Sequence, residues 1–200
     1  TTLQRDANRQ LGYTAQQTLD YVQSLYEKKL CTYPRTDSRY LTEDMADGVN
    51  AAVICAAGIC GVNAPSTVFA KQVCNNKKVS DHHAIIPTMA SGEADMSALP
   101  AGEREIMKLI ALQVLRSVSE AHSFCETVAE VSYGGIDSTA KGKTIENAGW
   151  KAYNEKEPSD KVLPDLEQDT ELKVVGTEIK EGKTKPPAYF TEDSLLSAME

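Results

Sequence analysis

Cys31-Thr32-Tyr33-Pro34-Arg35-Thr36-Asp37-Ser38-Arg39-Tyr40-Leu41 follows a helical pattern that it cannot continue. Pro34 fixes its own φ, lacks an amide proton and pushes Tyr33 toward extended backbone. The stretch therefore reads as a stiff, strand-like piece from which Tyr33 and Arg35 project. That pairing carries a chemistry. A phenol can attack a phosphodiester, and a guanidinium can stabilise the charge that grows on the phosphate oxygens. Arg39 adds a second cation and Ser38 a hydroxyl donor. A plainer reading stands beside this one: a buried tyrosine next to a structural Arg35–Asp37 pair.

Upstream, Thr14-Ala15-Gln16-Gln17 is a capping-box pattern, and Leu19, Val22, Leu25 and Tyr26 recur at helical spacing to about Lys29. Residues 2–10 read as an earlier helix ended by Gly12. Two helices, a tight turn and then an extended segment at Thr32 is the order of a winged helix-turn-helix, and also of an ordinary helical hairpin. Downstream, Thr42 can cap a helix over 43–57. Residues 103–118 form a third strong helical pattern, with Ile106, Leu109, Ile110, Leu112 and Val114 on a broad apolar face.

The texture changes near His122. Residues 123–133 alternate, with Cys125, Thr127, Ala129, Val131 and Tyr133 opposing Glu126, Glu130 and Ser132, and Val128 breaking the pattern. Gly134-Gly135 is a turn signal, and 136–140 reads as a returning strand. Residues 150–153 and 172–179 are further strand candidates. The acidic stretch 154–169, punctuated by Pro158 and Pro164, reads as a loop, and Thr191 caps a final helix after Pro186-Pro187. The fold class predicted is α+β, helical first and β-rich afterwards.

Two hundred residues suffice for one large domain or two small ones with a real core. No apolar run approaches the length of a membrane span, and no basic-then-apolar leader opens the chain. The five cysteines (Cys31, Cys55, Cys60, Cys74, Cys125) contain no Cys-x-x-Cys pair. This argues against a zinc ribbon or a disulfide framework and for a reducing cytoplasm. The first residue is not Met and the last lies within a helical pattern, so a fragment of a longer protein is expected. The formal net charge is −8, awkward for a nucleic-acid protein, although contact needs only a local cationic surface. Between Glu27 and Tyr40, Lys28, Lys29, Arg35 and Arg39 outnumber Glu27 and Asp37, whereas residues 151–200 hold seven lysines against twelve acids.

Two glycine-lysine-threonine triplets, Gly142-Lys143-Thr144 and Gly182-Lys183-Thr184, imitate the end of a phosphate loop. The earlier glycine that such a loop needs is replaced by Asp137 and Thr177, so both read as simple loop sequence. His82 and His83, in Ser80-Asp81-His82-His83-Ala84-Ile85-Ile86-Pro87-Thr88, admit three readings: metal ligand, catalytic helper or structural histidine. Adjacent histidines on extended backbone point to opposite faces, which disfavours a shared metal.

The segment Thr32-Tyr33-Pro34-Arg35-Thr36-Asp37-Ser38-Arg39-Tyr40-Leu41 closely resembles the active-site segment of type IA DNA topoisomerases, particularly the topoisomerase III branch. The stretch 80–88 resembles that family's second signature, and 185–200 resembles its "KPPxxFTExSLLxAME" segment. The opening Thr2-Leu3-Gln4-Arg5-Asp6-Ala7-Asn8 and Leu11-Gly12-Tyr13-Thr14 are similar to the start of its tyrosine-bearing domain. The resemblance runs through essentially the whole chain, in one order.

It implies a winged-helix (CAP-like) domain over 1–122, part of the β arch of a torus over 123–190, and the start of a following helix over 191–200. Tyr33 would be the nucleophile, attacking single-stranded DNA to leave a 5′-phosphotyrosyl link without ATP, in a bacterial cytoplasm near the nucleoid. Arg35 would contact the phosphate, and His82 would belong to the hydrogen-bond network around it. Arg39, Ser38, Lys28 and Lys29 are candidate DNA contacts. The family binds Mg²⁺ through an Asp-x-Asp-x-Glu cluster in a Toprim domain, which has no counterpart here, so no metal ligand is expected in this chain. The Toprim and remaining torus domains are the expected partners, and the fragment alone is expected to be inactive. Ala188-Tyr189 departs from a position that is often basic in the family. A non-catalytic winged-helix DNA-binding module is the rival; a tyrosine recombinase lacks its spread-out arginine and histidine partners here.

Overall fold

The computed structural model describes residues 1–154 and 159–200. Helix α1 (Thr2–Leu11) stops at Gly12, whose left-handed backbone (φ 73°) lets its N–H reach the Asn8 carbonyl at 3.0 Å. Helix α2 (Ala15–Glu27) opens with the predicted box: Thr14 Oγ1 accepts from Gln17 N–H at 3.1 Å, and Gln17 Oε1 accepts from Thr14 N–H at 2.9 Å. Its end is sharper than the pattern suggested. Lys29 takes φ 60°, and the amides of Lys29 and Leu30 close onto the carbonyls of Tyr26 and Leu25. That turn aims residues 31–41 away from the helix.

The predicted single helix over 43–57 is two pieces. A tight 3-10 turn, Glu43–Gly48, precedes α3 (Val49–Cys60), and Thr42 caps neither with its side chain. Gly48 at the junction costs about 1 kcal/mol within a helix, and the Met45 amide bonds Thr42 at the shorter i+3 spacing. Short helices α4 (Ala70–Val73) and α5 (Met89–Glu93) follow.

Helix α6 (Ala101–Val118) is the spine. Its first half, with Ile106, Met107, Leu109 and Ile110, packs on Ala7, Val22, Leu25, Leu30 and Cys31. Its second half, with Ala111, Val114, Leu115 and Val118, packs on Leu41, Val49, Val53, Ala56 and Ala57. Each fully buried Leu, Ile or Met contributes roughly 1.5–3 kcal/mol. Cys31 and Leu41 thus sit in different halves of the core, and the segment between them is a strap held at both ends.

The strap is not a strand of any sheet. It is tied to 84–88 by isolated bonds: Thr32 N–H to the Ile86 carbonyl (3.0 Å), Ala84 N–H to Tyr40 (2.9 Å) and Thr88 N–H to Leu30 (3.0 Å). Among the described residues the one sheet is the antiparallel hairpin β1 (Ser123–Tyr133) and β2 (Ile136–Asn147). Gly134 and Gly135 both take positive φ, the backbone that suits a two-residue hairpin turn. The architecture is α+β.

Four sequence expectations are corrected here. The returning strand runs to Asn147 rather than Ala140, because the long β1 offers partners along its whole length. Gly142-Lys143-Thr144 is therefore strand, not loop; Gly142 has no side chain because a Cβ there would lie 2.8 Å from Leu163 Cγ. Residues 150–153 belong to a 3-10 turn, Gly149–Tyr153, drawn in by Trp150 N–H on the Glu120 carbonyl at 2.9 Å. Residues 172–179 form no strand, since no neighbouring segment pairs with them among the described residues, and Val175 and Ile179 stand 96% and 94% exposed. The expected loop over 154–169 is free of helix and sheet strand from 159 onward, with one bridge from Lys161 to Lys143, while 155–158 lie outside the described residues.

Helix α7 (Glu192–Met199) carries the predicted Thr191 cap and returns to α1. Arg5 bonds Asp193 and Glu200, each at 3.0 Å, and Asp193 N–H donates to Asn8 at 3.1 Å. The hydroxyl of Thr1 and the Arg5 guanidinium hold the Glu200 carboxyl below its ordinary range.

Candidate active site

The strap presents Tyr33 half-buried between two rings. Tyr26, from the last turn of α2, stands edge-on to it (centroids 5.4 Å, 81°). His82 tilts over it (centroids 4.4 Å, 48°). Anchoring explains the placement. Pro34 is buried, Cys31 lies in the core with its thiol directed at the Val22 carbonyl, and Thr36 Oγ1 donates to the His82 carbonyl at 2.8 Å. Thr32 Oγ1 accepts from Ile86 N–H at 3.0 Å, so the histidine stretch runs alongside the strap. Burial pushes the Cys31 thiol up to about 12, which leaves this cysteine inert as a nucleophile.

Arg35, two residues along the strap from Tyr33, is exposed. The structural Arg35–Asp37 pair does not form; Asp37 instead accepts from Ser80 Oγ at 3.3 Å. The two histidines diverge, as alternation requires: His82 is exposed and faces Tyr33, while His83 Nδ1 lies 2.8 Å from the Ala84 carbonyl.

The remaining candidates separate by environment. Ser38 Oγ donates to the Lys78 carbonyl at 2.8 Å and accepts from Tyr40 N–H at 3.0 Å, so its hydroxyl shapes the strap. Arg39 is exposed further along. Lys28 turns to Glu103, a carboxylate buried on α6 that also accepts from Ser24 Oγ at 2.9 Å. Lys29 is exposed at the left-handed turn, and its carbonyl accepts from Thr88 Oγ1 at 2.5 Å. Sequence reasoning missed Tyr26, Thr36 and Glu103. Only Tyr26 had a signal, an aromatic at the end of α2, and its direction depends on the Lys29 turn.

Among the described residues, no group of three or more His, Cys, Asp or Glu side chains is arranged to hold a metal ion. No helix there is long and apolar enough to cross a membrane. The site brings together a phenol and an exposed guanidinium on the strap, the latter without an ion pair among the described residues, and an imidazole from the stretch alongside.

Comparison with known proteins gives this constellation a family. A DNA topoisomerase family model matches residues 1–200. The chain is 39% identical over 215 residues to DNA topoisomerase 3 of Bacillus licheniformis and 39% identical over 216 residues to that of Bacillus subtilis. Both matches cover 100% of this chain and 29% of the relative, so the chain spans under a third of those proteins' length. By these matches the chain belongs to the DNA topoisomerase family, in its type IA, topoisomerase III-like branch.

Proposed function

We propose that this chain supplies the nucleophilic half of a type IA topoisomerase active site, with Tyr33 as the residue that joins DNA. The observation that carries the reading is the Tyr33–His82 contact on a strap anchored in both halves of the core, with Arg35 exposed two residues along it and without an ion pair among the described residues. A free phenol keeps its proton to about pH 10, so a phenolic nucleophile needs a site that favours its loss. Tyr33 Oη attacks phosphorus in a single strand, an O–P bond forms, and the P–O3′ bond breaks. The phenolic proton leaves to solvent or a neighbouring base, and the departing 3′ oxygen gains a proton. Arg35 meets the charge on the non-bridging oxygens, and His82 orients the phosphate or the phenol. Resealing reverses the sequence, so the bond energy is conserved and no nucleotide cofactor is spent.

In the family's arrangement Mg²⁺ would be held by a Toprim domain of the parent protein, and this chain would contribute only the groups above. Residues 1–122 then act as the winged-helix-like domain, 123–190 as part of the arch, and 191–200 as the start of the next helix. The parent would pass one strand through another in a bacterial cytoplasm, and the chain alone would be inactive.

The test is covalent trapping. Single-stranded DNA labelled at its 3′ end is incubated with Mg²⁺ and the chain, with and without a separately supplied Toprim domain, then denatured and run on a gel. A labelled adduct that needs the added domain and vanishes in Tyr33→Phe supports the split site. DNA binding by the assembled parts without an adduct would instead favour a non-catalytic winged-helix module.

A further inference from the structure

Beyond Tyr33 the strap forms one wall of a second feature, a cleft of about 350 Å³ whose other wall is the turn preceding the histidine stretch. Arg39, Tyr40, Lys77 and Lys78 line it, with Asp37 as its one carboxylate among the described residues. Three cations against one acid is a marked local reversal on a chain of net charge −8. We infer that this cleft is a phosphate-binding subsite that holds the backbone of single-stranded DNA next to the scissile position, through Lys77 and Lys78.

The lysines are held on a built turn. They sit in a 3-10 turn, Asn76–Lys78, in which the Asn75 side chain accepts from Lys77 N–H at 3.0 Å. Asn76 Oδ1 accepts from Glu43 N–H at 2.8 Å, and Asn75 N–H donates to the Leu41 carbonyl at 2.9 Å, which ties the turn to the buried end of the strap. Lys78 Nζ donates to Tyr40 Oη at 3.0 Å and lies 4.4 Å from that ring's centroid, so its ammonium is pointed before any ligand arrives. Cations positioned in advance lose less freedom on binding than loose helix-end lysines. Lys77 is exposed, and among the described residues it has no ion pair. Arg39 lies near enough to Glu200 to help lower that carboxyl, so it is shared between the cleft and α7.

Position makes the ligand a continuous polynucleotide rather than a free anion. Three contacts stitch the two walls together: Thr36 to His82, Asp37 to Ser80 and Ser38 to Lys78. The walls run antiparallel from the Tyr33–His82 contact to the lysines. From His82 back to Lys78 the backbone spans at most roughly 14 Å, a reach of a few nucleotides. A strand seated with one phosphate at Tyr33 would lay a neighbouring phosphate over Lys77 and Lys78.

This inference rests on the proposed DNA cleavage at Tyr33, and the experiment separates the two. Binding of a single-stranded oligonucleotide to the full-length protein is measured across a salt series in a Tyr33→Phe background, so cleavage plays no part. Each phosphate contact on single-stranded DNA contributes about 0.7 to the slope of log K against log salt. Lys77→Gln with Lys78→Gln should flatten the slope by about 1.4, Lys77→Arg with Lys78→Arg should restore it, and Lys183→Gln in the acidic half should leave it unchanged. An unaltered slope in the glutamine pair, with binding intact, overturns the subsite even if Tyr33-dependent adducts form. A flattened slope without any adduct in the Tyr33-containing protein keeps the subsite and removes the nucleophile. Failure of the parent protein to bind single-stranded DNA overturns both.

Discussion

The ring of His82 lies 4.4 Å from that of Tyr33, while its neighbour His83 turns its Nδ1 to the Ala84 carbonyl. Two adjacent histidines therefore differ in what they can do for a phosphodiester at Tyr33. Replacing His82 by Ala should slow adduct formation by about 10²-fold, the usual contribution of a positioned proton-transfer or hydrogen-bonding group. His83→Ala should leave the rate within a few fold. Single-turnover cleavage of a labelled single strand compares them directly, and equal effects would deny His82 its distinct place.

Among the described residues Arg35 has no carboxylate partner, and Asp37 accepts from Ser80 instead. A guanidinium free in this way can be replaced without unbalancing a buried charge. Arg35→Ala should lower the cleavage rate by about 10²–10³-fold, as loss of a transition-state donor does, with no change in melting temperature. Arg35→Lys should recover only part of the rate, since an ammonium cannot make the paired contact of a guanidinium. A collapse in stability instead would mark Arg35 as structural.

Cys31 anchors the strap, and its pH behaviour reports on that anchor. Burial raises the thiol from its ordinary 9.0 to about 12 in the folded chain. Above about pH 9 the unfolded chain loses this proton while the folded chain keeps it. Stability is thus fully present below pH 9 and falls as pH rises toward 12, by about 1.4 kcal/mol per pH unit from this group. Burial also raises Cys60 and Cys74, which add in the same direction. Urea unfolding under reducing conditions at pH 8 and pH 10.5 should show the loss, and Cys31→Ala should make it shallower. An unchanged pH slope in that variant would mean that the thiol is not sealed in the core.

Lys28 is committed to Glu103, which is 6% exposed. Lys28→Ala should destabilise the chain by about 1 kcal/mol, reduced from a fully buried pair because the lysine itself is partly solvated. Its effect on the salt dependence of DNA binding should be small. A full phosphate's worth of lost salt dependence would show that Lys28 leaves Glu103 for DNA.

What could be read from the sequence was what local chemistry decides. The Thr14 box, the Gly12 stop, the Gly134-Gly135 turn and the Thr191 cap each depend on a few adjacent residues, and each is present. What failed depended on partners. The extent of β2 follows from the length of β1, and residues 150–153 turn because a carbonyl from Glu120 captures Trp150. Residues 172–179 read as a strand candidate but find no neighbour among the described residues. At the candidate site, the residues around Pro34 gave a stiff segment bearing Tyr33 and Arg35 but left a structural reading beside the chemical one, and their proposed roles come from the family resemblance. What Tyr26 faces depends on the turn at Lys29 that sends the strap back past α2, and Glu103 is found only through the packing of α6 on α2.

The most direct test of Tyr33 as the nucleophile is to identify the atom that holds the DNA. Adduct formed by the full-length protein with Mg²⁺ and single-stranded DNA is trapped by denaturant, digested with nuclease and protease, and sequenced by mass spectrometry. The account predicts a 5′-nucleotide on the peptide containing Thr32-Tyr33-Pro34-Arg35, localised to Tyr33 and lost in Tyr33→Phe. A nucleotide on any other residue, or an adduct that survives Tyr33→Phe, would contradict it.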